Sequence, residues 1–202
     1  MSVSNSPTDI VNLALDIIKT ENISDVEMPG TDEIAAVANR WYDDVRQLAL
    51  EDHPWSFSTR RANIPLIAVT PLFEYTDVYQ LPSDYLALWN IKEDSKPLSY
   101  WTYALAEKRI EMNNDSAESL YIRYSWDNVS VSTYSPSFKI YLAHLLASFV
   151  VTKLTGNAGA IKRVQSLLPV MRAQAKATNG KSSPPVAYIE SKMLRGRRLY
   201  GG

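Results

Sequence analysis

The sequence predicts an α+β fold that is mainly helical: a four-helix body, a small antiparallel β element inserted between the second and third helices, and an extended C-terminal arm. Three observations lead to this prediction. Apolar residues recur at helical spacing near both ends of the body. Between residues 57 and 126, apolar and polar residues alternate in short runs, as in strands. After residue 178 the chain is rich in glycine, serine, proline and basic residues. We expect one folded domain over residues 1–178 and an arm over residues 179–202.

The change from helix to strand falls in one short run of large side chains. His53 and Pro54 end the second predicted helix, because the residue before a proline is disfavoured in the α region. Trp55 and Phe57 then begin an extended segment. Large aromatic residues contribute the most buried area per residue, so we expect Trp55 to anchor the core. The structural anchors predicted in this part of the chain are Trp41, His53, Pro54, Trp55 and Phe57.

Capping signals set the expected helix boundaries. Ser6 can cap the first helix, with Pro7 at its first position and Asp9 where a capping box places its acid. Thr31 is the predicted cap of the second helix, and Ser135 opens the third helix with the same Ser-Pro pattern as the first. The four predicted helices cover residues 7–20, 31–52, 136–155 and 158–178.

The apolar faces of these helices predict how they pack. We expect the first and second helices to pair antiparallel. The third helix is apolar nearly all round, which indicates burial on several sides and, in a small domain, a neighbouring subunit. Pro169 is expected to kink or break the fourth helix, and residues 179–185 are not expected to continue it. The buried face predicted for the second helix consists of Ile34, Val37, Ala38, Trp41, Val45 and Leu48.

Shorter patterns predict the β element. Residues 60–69 are extended, and Pro65 favours an edge strand because proline cannot donate to a strand ladder. Residues 78–91 have the pattern of a strand, a tight turn and a second strand. Residues 120–126 alternate regularly and predict a half-buried strand. Further short elements are expected as strands at 98–101 and 109–112 and as a turn at 113–115.

Composition limits the possible functions. The 202 residues carry a net charge of −1 and no cysteine, which excludes disulfides, thiolate zinc sites and cysteine nucleophiles. The first residues lack the basic and apolar regions of a signal peptide. No apolar run is expected to cross a bilayer, so no membrane partner is predicted. Charge is uneven, since residues 1–52 hold eleven acids and three bases, whereas residues 181–202 hold five bases and one acid.

No catalytic, cofactor-binding or metal-binding constellation is predicted. His53 precedes a proline at a helix end and is expected to cap or pack, and His144 is expected to be satisfied beside its apolar helix face or to face a subunit. Asp43 and Asp44 are adjacent on a helix and point in different directions, which makes a poor acid–base pair. None of the common phosphate-loop, dinucleotide, nucleophile-elbow or zinc-protease motifs occurs. We therefore predict that the chain is not an enzyme, with a hydrolase of unrecognised site as a weaker alternative.

The arm combines apolar and basic residues. A terminal segment of this kind is disordered in isolation by default, but its apolar residues indicate that it orders on a partner. The mixture of bases and aromatics also fits a nucleic-acid-binding module that acts through the arm. Against that alternative, a DNA-binding protein normally carries its bases on a folded face. The residues predicted to dock on a partner or a neighbouring subunit are Tyr188, Ile189, Lys192, Met193, Leu194, Arg195, Arg197, Arg198 and Tyr200.

Four landmarks follow one another along most of the chain. They are HPWSF at 53–57 followed by TRRANIPL, YQLPSDYLALWNI at 79–91, the last strand with its Asp-containing loop and long apolar helix at 120–156, and MLRGRR at 193–198. Their order resembles the head-to-tail adaptor proteins of short-tailed bacteriophages, the tail tubular protein A family. The second landmark looks like the Leu-Pro-x-Asp strand turn of that family. It adds the structural anchors Leu81, Pro82 and Asp84.

The resemblance implies a structural protein of the virion. Members of this family form a dodecameric ring under the portal protein, extend the DNA channel, and provide a platform for a downstream tail or nozzle protein. They use no cofactor and catalyse nothing. The implied partners are the portal, the nozzle, other copies of the chain, and double-stranded DNA that passes without sequence-specific binding. The implied location is the neck of the virion, with assembly in the host cytoplasm.

Overall fold

A computed structural model describes residues 5–71, 73–91, 102–114 and 117–182. It confirms the predicted α+β fold, with two helices, a β region and two further helices in chain order. The helices are α1 (Pro7–Ile18), α2 (Glu33–Glu51), α3 (Pro136–Leu154) and α4 (Ala158–Ser182). The strands are β1 (Thr59–Pro65), β2 (Asp77–Gln80), β3 (Tyr85–Ile91), β4 (Tyr103–Ala106), β5 (Arg109–Met112) and β6 (Ser119–Trp126).

The predicted capping box opens α1. The Asp9 backbone N–H donates to Ser6 Oγ at 3.1 Å, and the Ser6 backbone N–H donates to Asp9 Oδ2 at 3.0 Å. These bonds satisfy donors that the first helical turn cannot pair internally. The helix ends at Ile18, earlier than expected, because Lys19 adopts a left-handed conformation with φ of 60° and its backbone N–H bonds back to Asp16.

Helix α2 differs from the prediction in its cap and in its buried face. Asp32, not Thr31, is the cap, and its carboxylate accepts the backbone N–H groups of the first turn. Tyr42 and Arg46 are buried, whereas Trp41 and Leu48 are exposed. The face is rotated because a second layer covers α2: the Asn39 amide donates to the Val26 carbonyl, and Arg46 bonds to the segment that follows β6.

Helix α3 lies at the centre of the body. Helices α1, α2 and α4 all pack on it, and α1 packs mainly on α3 and not on α2, so the expected antiparallel α1–α2 pair is replaced by two contacts to a shared partner. This arrangement buries most of the apolar surface of α3 within one chain, whereas Ile140 and Phe149 stay exposed. By length and composition alone α3 could span a membrane, contrary to expectation, but 56% of that window is buried inside the protein.

Helix α4 is longer than expected at its C-terminal end. It continues through Pro169 as one helix, so it is not broken there. It reaches Ser182, so the expectation that residues 179–182 do not continue the helix is wrong. Pro169 lacks the N–H that would bond to the carbonyl of Gln165, but both residues are on the exposed side, where water can satisfy that carbonyl. The last turns are held by the buried side chain of Asn179.

The β residues form two three-stranded antiparallel sheets, in the orders β1-β6-β3 and β2-β5-β4. β1 is an edge strand, as Pro65 predicts. The turn at 81–84 joins β2 to β3, yet these strands belong to different sheets, because β2 pairs with β5 and β3 pairs with β6. β4 was not predicted. The strand expected at 98–101 and Asp115 of the expected turn lie outside the described residues.

Two hydrophobic cores result, one among the helices and one among the strands. The chain passes from one core to the other where β1 begins and β6 ends. At this junction, Ser58 Oγ donates to the Trp126 carbonyl at 2.7 Å, and the Trp126 backbone N–H donates to the Ser58 carbonyl at 3.0 Å. Arg46 of α2 braces this region through an ion pair with Asp127.

Candidate functional site

The two histidines have structural partners. The amide nitrogen of Asn179 lies 3.1 Å from His53 Nε2, and the His53 ring meets Trp55 edge to face. Burial lowers the pKa of His53, and the nearby Lys176 adds to this effect, so the neutral ring can accept the Asn179 N–H. His144 Nδ1 lies 2.9 Å from the carbonyl of Ile140, one turn earlier in α3. Neither imidazole contacts a hydroxyl nucleophile in the part of the chain that the structure describes.

Asp52, at the end of α2, is the centre of an ion-pair cluster with α4. Arg172 donates two hydrogen bonds to its carboxylate, and Lys176 Nζ lies 3.0 Å from Asp52 Oδ2. Burial alone would raise the pKa of Asp52, but these hydrogen bonds outweigh burial and hold the pKa below its usual value. A carboxylate that is saturated by donors is a poor base, so the cluster joins two helices and offers no acid–base chemistry.

No metal centre is formed by the described residues. Within 5–71, 73–91, 102–114 and 117–182, no three His, Asp or Glu side chains come together in a way that could hold an ion. The acids of α2 instead lie on its exposed surface, and one of them, Asp43, also bonds to Arg46 at 3.2 Å.

An exposed apolar face lies across three helices of the body. The Trp41 and Phe149 rings contact each other, with centroids 5.2 Å apart, and Trp41 is 36% exposed. Leu48, seven residues further along α2, is 46% exposed and points the same way, since residues two turns apart share a helix face. We call this surface the apolar face. Its exposed or half-buried members are Trp41, Leu48, Phe149, Leu168 and Pro169, and the buried Leu145 lines the cleft beside them.

The apolar face includes a cleft of about 700 Å³ between the end of α2 and α4. Leu48, Leu145 and Leu168 form its apolar walls, and the Asp52 ion-pair cluster lies at its polar end. Glu51 also lines the cleft, and burial raises the pKa of its carboxyl group. The cleft is thus an apolar groove with a carboxylate at its rim, a chemistry suited to a partner segment that carries apolar and basic side chains.

The structure locates the predicted anchors in different environments. Trp55 is fully buried, as expected for a core anchor, whereas Trp41 belongs to the exposed apolar face, so the expectation that it lies in the core is wrong. Leu81 is buried in the β core. Asp84 accepts from Arg60 at 2.6 Å and from the Tyr124 hydroxyl at 3.1 Å, which ties the β2–β3 turn to the sheet β1-β6-β3.

The remaining anchors lie close to these. Phe57 joins the aromatic cluster around Phe138, with ring centroids 4.9 Å apart. The carbonyl of Pro54 accepts from the Asn179 amide, and the carbonyl of Pro82 accepts from the Tyr85 backbone N–H at 3.2 Å. The predicted docking residues of the arm lie outside the described residues, and these are Tyr188, Ile189, Lys192, Met193, Leu194, Arg195, Arg197, Arg198 and Tyr200.

Sequence reasoning missed the apolar face as a site. It placed Trp41 and Leu48 on the buried side of α2, because their spacing continues the apolar stripe. The signal that could have separated them was polar: Arg46 lies on the side of α2 that the chain covers, and both it and the exposed Asn39 donate to backbone carbonyls of other segments. In comparisons with known proteins, the chain matches no protein-family model and no curated sequence.

Proposed function

We propose that the chain is a structural protein of a tailed bacteriophage, the head-to-tail adaptor that forms a ring under the portal, extends the DNA channel and provides the platform for the tail. The observation that carries this proposal is the exposed apolar face, which gives the body a surface for protein partners. The ordered landmarks that resemble the adaptor family supply the identity of those partners. In this role the chain uses no cofactor and catalyses no reaction.

Exposure of the apolar face supports a role in assembly. Contiguous apolar surface on a soluble chain marks a site for a partner, whereas apolar side chains exposed singly need no explanation. Trp41 and Phe149 contact each other. Leu48 lies two turns from Trp41 on α2, and Leu145 lies one turn from Phe149 on α3, so helical spacing places the cleft next to the aromatic pair. Aromatic residues at the centre of such a patch are also the residues most often found to dominate binding energy at interfaces.

In the proposed ring, the arm contacts the apolar face. In a closed ring each copy uses one surface to contact the next copy and a different surface to contact the previous one. An arm with alternating apolar and basic residues has the composition to fill the cleft and to pair with Glu51, and the remaining bases are free to contact the portal. We propose portal protein and neighbouring copies as the partners of the apolar face and the arm.

Electron microscopy of the purified chain mixed with candidate portal protein tests the proposal. We expect rings bound to the portal, and we expect Leu48→Asp to reduce the fraction of portals that carry a ring, because it places a charge in the apolar face. The matched control is Val129→Asp, since Val129 is 65% exposed and lies away from that face. Absence of rings with the unmodified chain, or equal occupancy for both variants, would refute the assignment.

A further inference from the structure

Two arginines lie side by side on the exposed surface of the sheet β1-β6-β3. Arg61 of β1 is directly opposite Arg123 of β6 in the antiparallel register, and the next outward-facing pair is Asn63 opposite Tyr121. On its other side Arg123 is paired with Asn90 of β3. Like charges that face each other across two strands destabilise a sheet. The arrangement therefore has a cost to folding that another role of these residues would explain.

Neither arginine is neutralised by the described part of the chain. The structure gives no ion pair and no hydrogen bond to the side chain of Arg61 or Arg123 within residues 5–71, 73–91, 102–114 and 117–182. The adjacent Arg60 shows the contrast, because it pairs with Asp84 at 2.6 Å and lies 3.5 Å above the Trp126 ring. Arg46 and Arg172 are likewise paired with carboxylates. The two unpaired guanidinium groups are thus left available to an anion.

The surface around them is concave and is built from hydrogen-bond donors. A cleft of about 600 Å³ is lined by both arginines together with Asn63, Asn90 and Tyr121, and none of the described residues that line it is a carboxylate. Tyr121 is 50% exposed, so its ring is available for stacking. Guanidinium, amide and phenol groups all donate hydrogen bonds, and a site made of such groups without acids is suited to a negatively charged ligand. We call this surface the arginine cleft.

We propose that the arginine cleft binds the phosphate backbone of nucleic acid without reading its sequence. Paired guanidinium groups bind phosphate oxygens in a bidentate way, and an exposed tyrosine can stack on a base or a sugar. Such backbone contacts position a nucleic acid without carrying sequence information. The exposed Tyr121 ring beside the donors lets a nucleic acid use stacking and phosphate contacts together. The site is on the folded body, apart from the basic arm, and it does not depend on ring formation.

The test is a salt titration of DNA binding by the free, full-length chain. A fluorescently labelled single strand and the matching duplex, each of about 20 nucleotides, are followed by anisotropy. The test variant is Arg61→Gln with Arg123→Gln, and the control is Arg40→Gln, an exposed arginine of α2 outside the cleft. We expect the slope of log affinity against log salt to become shallower by about 1.4 for the single strand and about 1.8 for the duplex in the test variant only.

A variant of the arm distinguishes DNA binding by the arginine cleft from DNA binding by the arm. In a chain with Arg195, Arg197 and Arg198 changed to Gln, the same loss of slope on changing Arg61 and Arg123 is expected, because the arm contributes its own phosphate contacts. Binding that disappears with the arm alone, or that is equal in the test and control variants, overturns the proposal. A change of self-association in sedimentation without any change in DNA binding also overturns it, because the cleft is then a protein contact.

Discussion

At the scale of single residues, Trp55 is the largest fully buried side chain of the helical core. Its side chain is fully buried, and its Nε1–H donates to the Ala49 carbonyl at 2.8 Å, near the end of α2. Its ring meets Phe138 of α3 edge to face, with centroids 4.8 Å apart, and also packs on Phe57. One side chain thus joins the end of α2, the start of the β region and the central helix.

We predict that Trp55→Ala lowers the free energy of unfolding by about 3–5 kcal/mol, the usual range for removal of a buried large aromatic. Urea denaturation followed by circular dichroism measures this change. The matched control is Trp41→Ala, which removes the same side chain from the exposed apolar face and is expected to cost much less. A Trp55→Ala chain as stable as the control would show that the junction between α2 and the β region does not depend on this ring.

At the scale of elements, the end of α4 depends on one polar side chain. Asn179 Oδ1 accepts the Ser56 backbone N–H at 2.9 Å, and its amide nitrogen approaches His53 Nε2 and the Pro54 carbonyl. These contacts connect the last helix to the helix-to-strand corner. They give a physical reason why the helix continues past a glycine to Ser182 although local propensity disfavours it.

We predict that Asn179→Ala lowers the free energy of unfolding by about 1–3 kcal/mol, because the Ser56 N–H and the His53 ring lose the hydrogen bonds that the buried Asn179 makes. Hydrogen exchange should locate the effect, with faster exchange in the last turns of α4 and unchanged exchange in α1. Gln174→Ala changes an exposed residue of the same helix and is the control. Uniformly faster exchange over the whole body would contradict a local role for Asn179.

The same elements show how far sequence could predict the fold. Capping signals and alternation are local, so the start of α1, the extent of α3 and the strand β6 were predicted closely. The rotation of α2 and the end of α4 depend on contacts with distant segments, such as Arg46 with Asp127 and Asn179 with Ser56. For the same reason, residue spacing could not reveal that Trp41 stays exposed or that Arg61 faces Arg123.

At the scale of the whole molecule, we predict that the arm is required for assembly and not for folding. Deletion of residues 183–202, which begins after the observed end of α4, should leave the Tm nearly unchanged. It should weaken attachment to the portal, because ordering the arm is favourable only where many contacts form together. Thermal melting and electron microscopy of portal mixtures measure the two effects. Portal attachment as strong as that of the full chain would show that the arm is not the docking element.

The hydrogen bonds between Ser58 and Trp126 mean that the chain leaves the helical body and returns to it at one point. The β region is therefore a single long insertion in the helical body. The distance between its two ends is fixed by these hydrogen bonds and does not depend on the length of the insertion. The entropy of closing such an insertion grows only slowly with its length. The length and the surface of the β region can consequently change while the packing around α3 stays unchanged.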